Sequence, residues 1–160
     1  MSAKRILLVC TGNSCRSVMA QGIMQQMLER AGIRSVEVES AGVFAVEGMS
    51  PTRETLRVLQ GVGVDGSAHR ARTLTVSMAE EADLIFAMES FQVDEIVRRI
   101  PSVRDKVHLL KAYGLQAREE GVNPNIPDPI GKPLEVYEVC FADIREAVER
   151  IVKSLGVRST

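Results

Sequence analysis

The residues best suited to chemistry are Cys10 and Arg16, which enclose five residues that include Gly12 and Asn13. Uninterrupted apolar residues precede the cysteine and a helical pattern follows the arginine, so the segment is predicted to be a buried strand, a tight loop and a helix. A loop this short can turn its backbone N–H groups inward beside the positive end of the helix and form an anion site. Arginine adds a planar pair of donors that matches two oxygens of a tetrahedral oxyanion.

At the base of such a loop, Cys10 is predicted to be a nucleophile. The inward N–H groups, the helix N-terminus and Arg16 all favour the thiolate over the thiol, and Ser17 is placed to donate a hydrogen bond to the sulfur. Gly12 allows backbone and ligand to approach closely, and Asn13 tolerates left-handed geometry while hydrogen-bonding the loop to itself. The residues predicted to surround a phosphate above the sulfur are Thr11, Gly12, Asn13, Ser14, Cys15 and Arg16. The alternative is a structural cysteine at a strand end and a surface arginine, which the full context makes the weaker interpretation.

The composition is that of an ordinary globular protein, expected to form a single domain over residues 1–160. Hydrophobic residues make up 45% and the net charge is −1, so we expect neither a nucleic acid nor a membrane as partner. The two histidines are far apart, and no metal site is predicted. Three cysteines, two of them in one loop, favour a reducing compartment. With no signal peptide or membrane span apparent, we expect a cytoplasmic protein and a monomer.

The strand pattern predicts an α/β fold in which the loop follows a central strand. Residues 83–88 form a second apolar run, residues 107–110 a short third one, and residues 33–40 alternate like a strand at the edge of a sheet. Because strands alternate with helical segments, we expect a doubly wound parallel sheet of about four strands with helices on both faces, in one three-layer domain. Ligand sites in such folds lie at the carboxyl ends of the strands.

Three longer helices are predicted over residues 17–31, 89–100 and 134–155, with Phe91 and Val139 among the side chains expected to face inward. Shorter helices are predicted after residue 50 and near residue 77. The expected signals at helix ends are Gly32 as a stop, Ser50 and Pro51 as a start, and Ser77 with Glu80 as a capping box.

The longest irregular stretch, residues 113–133, holds four of the six prolines and centres on Asp128, which has a proline on either side. A long connection in a compact domain is often functional, and the prolines restrict the backbone that aims this carboxylate. Cleavage of a phosphoester by a thiolate needs a group that protonates the leaving atom. From the pattern alone, a general acid and a plain turn residue are equally good interpretations of Asp128.

The run Val-Cys-Thr-Gly-Asn-Ser-Cys-Arg-Ser that ends at Ser17 resembles the signature loop of the low-molecular-weight protein tyrosine phosphatases. The resemblance extends over nearly the whole chain. It implies the strand order 2-1-3-4 and makes Asp128 the general acid. It also implies that a second loop, beginning at Ser40, leans over the first, that Phe44 walls the substrate pocket, and that His69 supports the loop rather than taking part in catalysis.

The expected function is therefore that of a cysteine-dependent protein phosphatase that needs no metal or cofactor. Cys10 attacks phosphorus, Arg16 stabilises the phosphate oxygens and Asp128 protonates the leaving group. Asp128 then activates water to hydrolyse the cysteinyl-phosphate. The expected partner is a phosphorylated protein or peptide.

Substrate choice stays open between phosphotyrosine and phosphoarginine, with low-specificity hydrolysis of small phosphomonoesters behind them. Tyrosine-specific members carry tyrosines after Asp-Pro and a bulky aliphatic residue in the loop, where this chain has Ile130 and Ser14. Ser14, Phe44 and Ile130, the predicted pocket residues, resemble the bacterial protein arginine phosphatase branch. That branch has threonine where this chain has Ser14.

Arsenate reductases share this fold and offer an oxidoreductase alternative. They pass electrons to two further cysteines, whereas the only cysteine beyond the loop here is Cys140, which is predicted to be buried. Cys15 is a candidate redox partner for Cys10, because a disulfide between them would protect or inactivate the nucleophile. The short separation in sequence permits that bond without establishing its geometry.

Overall fold

A computed structural model describes residues 4–115 and 123–156. The elements, in chain order, are β1 Lys4–Cys10, α1 Arg16–Arg30, β2 Val36–Gly42, α2 Arg53–Gln60, α3 Val76–Glu81, β3 Leu84–Ala87, α4 Ser90–Arg99, a 3₁₀ helix Pro101–Lys106, β4 Val107–Leu109 and α5 Leu134–Gly156. The four strands form one parallel sheet in the order β2-β1-β3-β4, which confirms the predicted fold class and strand order. Strand β1 is therefore central, β2 lies at an edge as predicted, and the loop after β1 opens at the carboxyl edge of the sheet.

Strand β1 carries no polar alternation because both of its faces are buried. Ile6 and Leu8 pack into a core cluster with residues of α1 and α5, whereas Leu7 and Val9 pack into a second cluster with residues of α3 and α4. Each fully buried aliphatic side chain of this kind contributes about 1.5–3 kcal/mol through the hydrophobic effect. The two clusters make the three-layer arrangement and hold the end of β1 in place from both sides.

One predicted helix end agrees with the structure and two differ from it. Gly32 follows α1 with a φ of 71°, as a helix stop requires. The start predicted at Ser50 and Pro51 is wrong, because the Thr52 side chain caps α2 by accepting a hydrogen bond from the Thr55 N–H. The capping box predicted in α3 is also wrong. A threonine two residues before Ser77 caps that helix, so the predicted cap lies inside it.

The inward faces of two helices differ from the predictions at single positions. Phe91 is 46% exposed and Val139 is 66% exposed, so both predictions of burial are wrong. On α4 the inward position is taken by Gln92, one residue later, because its amide satisfies backbone and side-chain groups at the end of the sheet. On α5 the buried stripe passes through Tyr137 and Cys140, and Val139 falls on the outer face.

The irregular segment predicted over residues 113–133 is described except for residues 116–122, which lie outside the described part of the chain. Its second half is fixed by hydrogen bonds to the ends of β3 and α4. The Ile126 N–H donates to the Met88 carbonyl at 2.8 Å, and the Ser90 N–H donates to Asn125 Oδ1 at 2.8 Å. These contacts bring Asp128 to the carboxyl edge of the sheet.

Within residues 4–115 and 123–156, no helix is long and apolar enough to cross a membrane. No cluster of three or more histidine, cysteine or acidic side chains there is placed to hold a metal ion.

Candidate active site

Asn13 organises the loop of residues 10–16, which we name the cysteine loop. Its φ of 54° is the one positive value at a non-glycine residue in the described part of the chain, which confirms the predicted left-handed geometry. Its side-chain amide donates to Ser17 Oγ at 2.7 Å and Ser40 Oγ at 3.0 Å, and its Oδ1 accepts from the Arg72 N–H at 3.0 Å. The buried asparagine is thus satisfied by α1, β2 and the segment before α3.

His69 supports the loop from outside. Its Nε2 lies 3.0 Å from the carbonyl oxygen of Asn13, the geometry of an N–H donating to that carbonyl. Burial of the half-covered ring lowers the pKa of His69 below its ordinary value, although the hydrogen bond to Asn13 acts in the opposite direction. His69 therefore contacts the backbone of the loop and not the sulfur or arginine within it.

The sulfur of Cys10 lies among donors, as the loop chemistry requires. Its Sγ is 3.0 Å from Ser17 Oγ, and the Asn13 N–H donates to it at 3.3 Å. Only 2% of Cys10 is exposed, so the approach to the sulfur is through the loop. A thiolate at this position is stabilised by both donors and by the start of α1 directly after the loop.

The second loop touches the first through Gly42, the last residue of β2. A Cβ atom at Gly42 would lie 2.5 Å from the Thr11 carbonyl oxygen and 3.0 Å from the Asn13 nitrogen, so only glycine fits. The next two N–H groups donate to carbonyls of the cysteine loop, Val43 to Cys10 at 3.0 Å and Phe44 to Thr11 at 2.9 Å. The second loop therefore leans over the first, as the family resemblance implies. At Gly12, by contrast, an added Cβ would meet only a side-chain oxygen at 3.5 Å.

Arg16 is 1% exposed and its guanidinium is held from one side. Nη1 donates to the Glu89 carboxylate and, at 2.8 Å, to the Ile126 carbonyl, while Nη2 lies 3.6 Å from Asp128 Oδ2. Nε is the one buried side-chain nitrogen or oxygen without a hydrogen-bond partner among residues 4–115 and 123–156. A buried N–H of this kind costs about 1–3 kcal/mol unless it is paired, so it indicates a place for an acceptor.

Asp128 stands at the mouth of the site. Its side chain is 39% exposed, and its Oδ1 accepts a hydrogen bond from the Ile130 N–H at 3.1 Å. The structure thus brings Cys10, Arg16 and Asp128 to one end of the sheet, although Arg16 and Asp128 are 112 positions apart in the sequence.

Glu89 and Gln92 belong to the site and were not predicted from the sequence. Glu89 pairs with Arg16 and also caps α4, where the two side chains form a capping box. The Gln92 amide accepts from the Met88 and Glu89 N–H groups and donates to Thr11 Oγ1 at 3.0 Å. The spacing of an N-cap glutamate and a glutamine three residues later was the available signal for the cap. Nothing in the local sequence indicated Arg16 as its partner.

The predicted pocket residues occupy two different settings. Ser14 is 4% exposed, and its hydroxyl is 3.8 Å from the Cys15 sulfur, inside the loop. Phe44 is 59% exposed and Ile130 is 53% exposed, so both lie on the surface beside the loop. Phe44 is therefore not a core residue. We name Phe44, Asp128 and Ile130 the rim.

The sulfur of Cys15 lies against hydroxyl groups behind the loop. It is 3.5 Å from the Tyr137 hydroxyl and 3.6 Å from Thr52 Oγ1. Burial raises the pKa of Tyr137 well above its ordinary value, so this hydroxyl stays protonated. Cys10 and Cys15 are both free thiols here, and the disulfide between them stays a prediction.

Cys140 is buried, as predicted, and burial raises the pKa of its thiol to about 12. Its sulfur is 3.9 Å from the Pro127 carbonyl oxygen. A thiol that stays protonated is a poor nucleophile, so Cys140 is unsuited to the relay that the arsenate reductase alternative needs.

Comparison with known proteins agrees with this geometry. A family model described as low molecular weight phosphotyrosine protein phosphatase matches residues 5–159. The chain belongs to this family. The prediction of a cysteine-dependent protein phosphatase is confirmed at this level, and the oxidoreductase alternative has no better support.

Individual relatives carry two kinds of name. The chain is 38% identical over 151 residues to the protein-arginine-phosphatase of Geobacillus stearothermophilus, covering 94% of this chain and 95% of the relative. It is 33% identical over 151 residues to the low molecular weight protein-tyrosine-phosphatase Etp of Escherichia coli K12, covering 94% of each. A solved structure of a YwlE arginine phosphatase mutant with a phosphorylated active-site serine superposes with a TM-score of 0.86 at 32% identity, covering 94% and 95% of the two chains.

Proposed function

We propose that this phosphatase removes the phosphoryl group from phosphoarginine side chains of proteins through a cysteinyl-phosphate intermediate. The observation that carries the chemical part is the setting of Arg16. Its partnered Nη1 holds the guanidinium in place, and its buried Nε has no protein acceptor among the described residues. A phosphate in the cysteine loop supplies that acceptor and places phosphorus over Cys10.

The first step transfers the phosphoryl group to the enzyme. The Cys10 thiolate attacks phosphorus, a sulfur–phosphorus bond forms and the bond to the substrate nitrogen breaks. Asp128 gives its proton to the leaving guanidine nitrogen, because a leaving group that departs without a proton is a poor one. Arg16 and the loop N–H groups stabilise the phosphate oxygens as charge moves between them.

The second step returns the enzyme to its starting state. Asp128, now a carboxylate, takes a proton from water, and the resulting hydroxide attacks phosphorus. The sulfur–phosphorus bond breaks, inorganic phosphate leaves and the Cys10 thiolate is restored. The Asp128 side chain is 39% exposed, so it can contact both a leaving group and a water molecule.

The preference for phosphoarginine depends on Ser14. Ser14 keeps the centre of the loop small and polar, because its buried side chain is only a hydroxymethyl group. The rim offers one aromatic side chain, Phe44, and an aliphatic one, Ile130, rather than two aromatic walls for a phenol ring. A flat guanidinium can lie on one aromatic face without a second wall opposite it.

Phosphotyrosine is the second candidate, because the exposed ring of Phe44 also suits a phenol ring. The relatives named above include phosphatases of both kinds.

The deciding experiment measures kcat/KM for matched phosphoarginine and phosphotyrosine peptides with the wild type, Ser14→Thr and Ser14→Ile. We expect the wild type and Ser14→Thr to prefer phosphoarginine. Ser14→Ile should move the ratio toward phosphotyrosine by about tenfold or more, the usual effect of added aliphatic bulk in a pocket. Faster hydrolysis of phosphotyrosine by the wild type would support the second candidate instead. Turnover retained in Cys10→Ser would contradict the cysteine mechanism for both substrates.

A further inference from the structure

Arg99, at the end of α4, contacts the second loop in two ways. Its guanidinium carbon lies 4.8 Å from the centre of the Phe44 ring, and its Nη1 donates to the Val43 carbonyl at 2.9 Å. The first contact is a cation–π interaction with the ring, and the second fixes the guanidinium relative to the backbone that carries the ring. Neither contact was predicted from the sequence.

Arg99 is itself held from behind by Glu95, one helical turn earlier. Its Nε donates to Glu95 Oε1 at 2.7 Å. Hydrogen bonds from Arg98 and Arg99 lower the pKa of Glu95 to about 2, so this carboxylate stays charged at neutral pH. Because the guanidinium donates to two fixed acceptors, its orientation beside the Phe44 ring is restricted.

The Phe44 ring has little else to hold it. Its backbone is fixed, because the N–H donates to the Thr11 carbonyl, but the side chain is 59% exposed and belongs to neither core cluster. An exposed aromatic side chain on a fixed backbone moves among rotamers unless something packs on it. Arg99 supplies that packing on one side of the ring and leaves the rest of the ring exposed.

We propose that Arg99 is a positioning residue for substrate binding, which holds the Phe44 ring in the orientation that receives the side chain bearing the phosphate. This inference rests on the proposed role of Phe44 as a wall of the substrate pocket. It extends the site to α4, which carries Arg99.

The expected effect falls on KM and leaves kcat unchanged. Arg99 has no hydrogen bond or ion pair to Cys10, Arg16 or Asp128 in the described residues, so the reacting groups keep their positions without it. An exposed cation–π contact is worth about 0.5–1 kcal/mol, which corresponds to a change in KM of about two- to fivefold.

Arg99→Gln is best compared with Arg98→Gln. Both variants remove one positive charge and one partner of Glu95, but Arg98 is 70% exposed in its side chain and has no contact with Phe44 or Val43 among those described. We expect Arg99→Gln to raise KM for a phosphorylated peptide about two- to fivefold, while kcat and the inhibition constant of inorganic phosphate stay unchanged. Arg98→Gln should change none of the three. Arg99→Lys, which keeps a cation without the planar fork, should give an intermediate KM.

A double-mutant cycle with Phe44→Ala shows whether Arg99 acts through the ring. We expect Phe44→Ala to raise KM, and Arg99→Gln to raise it no further in that background. Equal effects of Arg99→Gln with and without the ring would overturn the inference while leaving Phe44 as a pocket wall. A normal KM in Phe44→Ala would instead contradict the proposed pocket, and the inference with it. Thermal unfolding of each variant identifies any rise in KM that comes from misfolding.

Discussion

The cysteine loop and the rim lie side by side but are built in opposite ways. In the loop, Asn13 is 0% and Arg16 is 1% exposed, and both are held by several hydrogen bonds. On the rim, Phe44 and Ile130 are more than half exposed, and Asp128 has one backbone hydrogen bond. Under the proposed function, the loop binds the phosphate that every substrate shares, and therefore gains from rigidity. On the same proposal, the rim contacts the part of the substrate that varies.

This difference predicts how substitutions act. Each buried polar group of the loop that loses its partner costs about 1–3 kcal/mol, so changes there should lower both stability and rate. Exposed rim residues satisfy few other groups. Changes there should affect kcat or KM while leaving the free energy of unfolding within about 0.5 kcal/mol of the wild type.

Asp128→Asn should give the largest separation of rate from stability. Loss of the general acid is expected to lower kcat by about 10²–10⁴-fold, and least for substrates whose leaving group needs no proton. Asp128 Oδ2 lies 3.6 Å from Arg16 Nη2, which is longer than a hydrogen bond, so chemical denaturation should give a free energy of unfolding within about 0.5 kcal/mol of the wild type. Asp94→Asn, the same change at an exposed position of α4, is the control and should leave kcat as it is. A fall in kcat of less than tenfold would remove Asp128 from the mechanism.

Asn13→Ala, a change in the loop, should lower both the free energy of unfolding and kcat. The variant removes hydrogen bonds to Ser17, Ser40 and the Arg72 N–H, and it places alanine at a φ of 54°. We expect a loss of about 2–4 kcal/mol in the free energy of unfolding and a fall in kcat of about tenfold or more.

Asn13→Gly separates the two causes of that loss. Glycine accepts the left-handed backbone without strain but supplies no side-chain hydrogen bonds. It should therefore recover part of the stability and little of the rate. A fully active Asn13→Gly enzyme would show that the backbone alone organises the loop.

Glu89→Gln tests whether the ion pair between Glu89 and Arg16 Nη1 contributes to turnover. The change keeps the shape of the side chain but removes the charge paired with Nη1. Charge-assisted hydrogen bonds are worth about 1.5–3 kcal/mol, so we expect kcat to fall about tenfold as Arg16 loses its fixed orientation. Glu81→Gln removes an arginine partner on the surface, that of Arg5, and should leave turnover unchanged. Equal kcat values in the two variants would count against Glu89 as a positioning residue.

The features that were predictable from the sequence are those carried by neighbouring residues. Cys10 and Arg16 are close in sequence, and the apolar run before them shows a strand buried on both faces. An asparagine at position 13 indicates a left-handed backbone, because few other residue types adopt that conformation. Asp128 could be ranked as a general acid only through the family resemblance, since a proline on either side also suits an ordinary turn.

The unpredicted features come from tertiary contacts. Glu89 reaches Arg16, and Arg99 reaches Phe44, only because the sheet order places β3 and α4 beside the end of β1. Phe91 was assigned to the wrong face because the buried polar side chain of Gln92 takes the inward position next to it. A hydrophobic pattern predicts that a glutamine faces outward. Gln92 is buried because it forms hydrogen bonds with the Met88 and Glu89 N–H groups and with Thr11 Oγ1.

The smallest expected effect is a pH dependence of loop stability through His69. Burial lowers its pKa below the ordinary value of 6.5, so the unfolded chain takes up a proton before the folded protein does. The stabilising contribution of the neutral ring is therefore complete above pH 6.5 and is lost as the pH falls through that value toward the lower pKa of the folded state. The free energy of unfolding should decrease as the pH falls from 7.5 to about 5.

His69→Gln keeps a donor for the Asn13 carbonyl but cannot titrate. We expect it to cost less than about 1 kcal/mol at pH 7.5 and to flatten part of this slope. Burial also lowers the pKa of His108, which lies on β4 away from the loop, so His108→Gln should remove a separate part of the slope. Of these two variants, only His69→Gln should also change how the inhibition constant of inorganic phosphate depends on pH, because only His69 touches the cysteine loop. A slope unchanged in His69→Gln and abolished in His108→Gln would assign the pH dependence to the sheet edge and leave the loop insensitive to protonation.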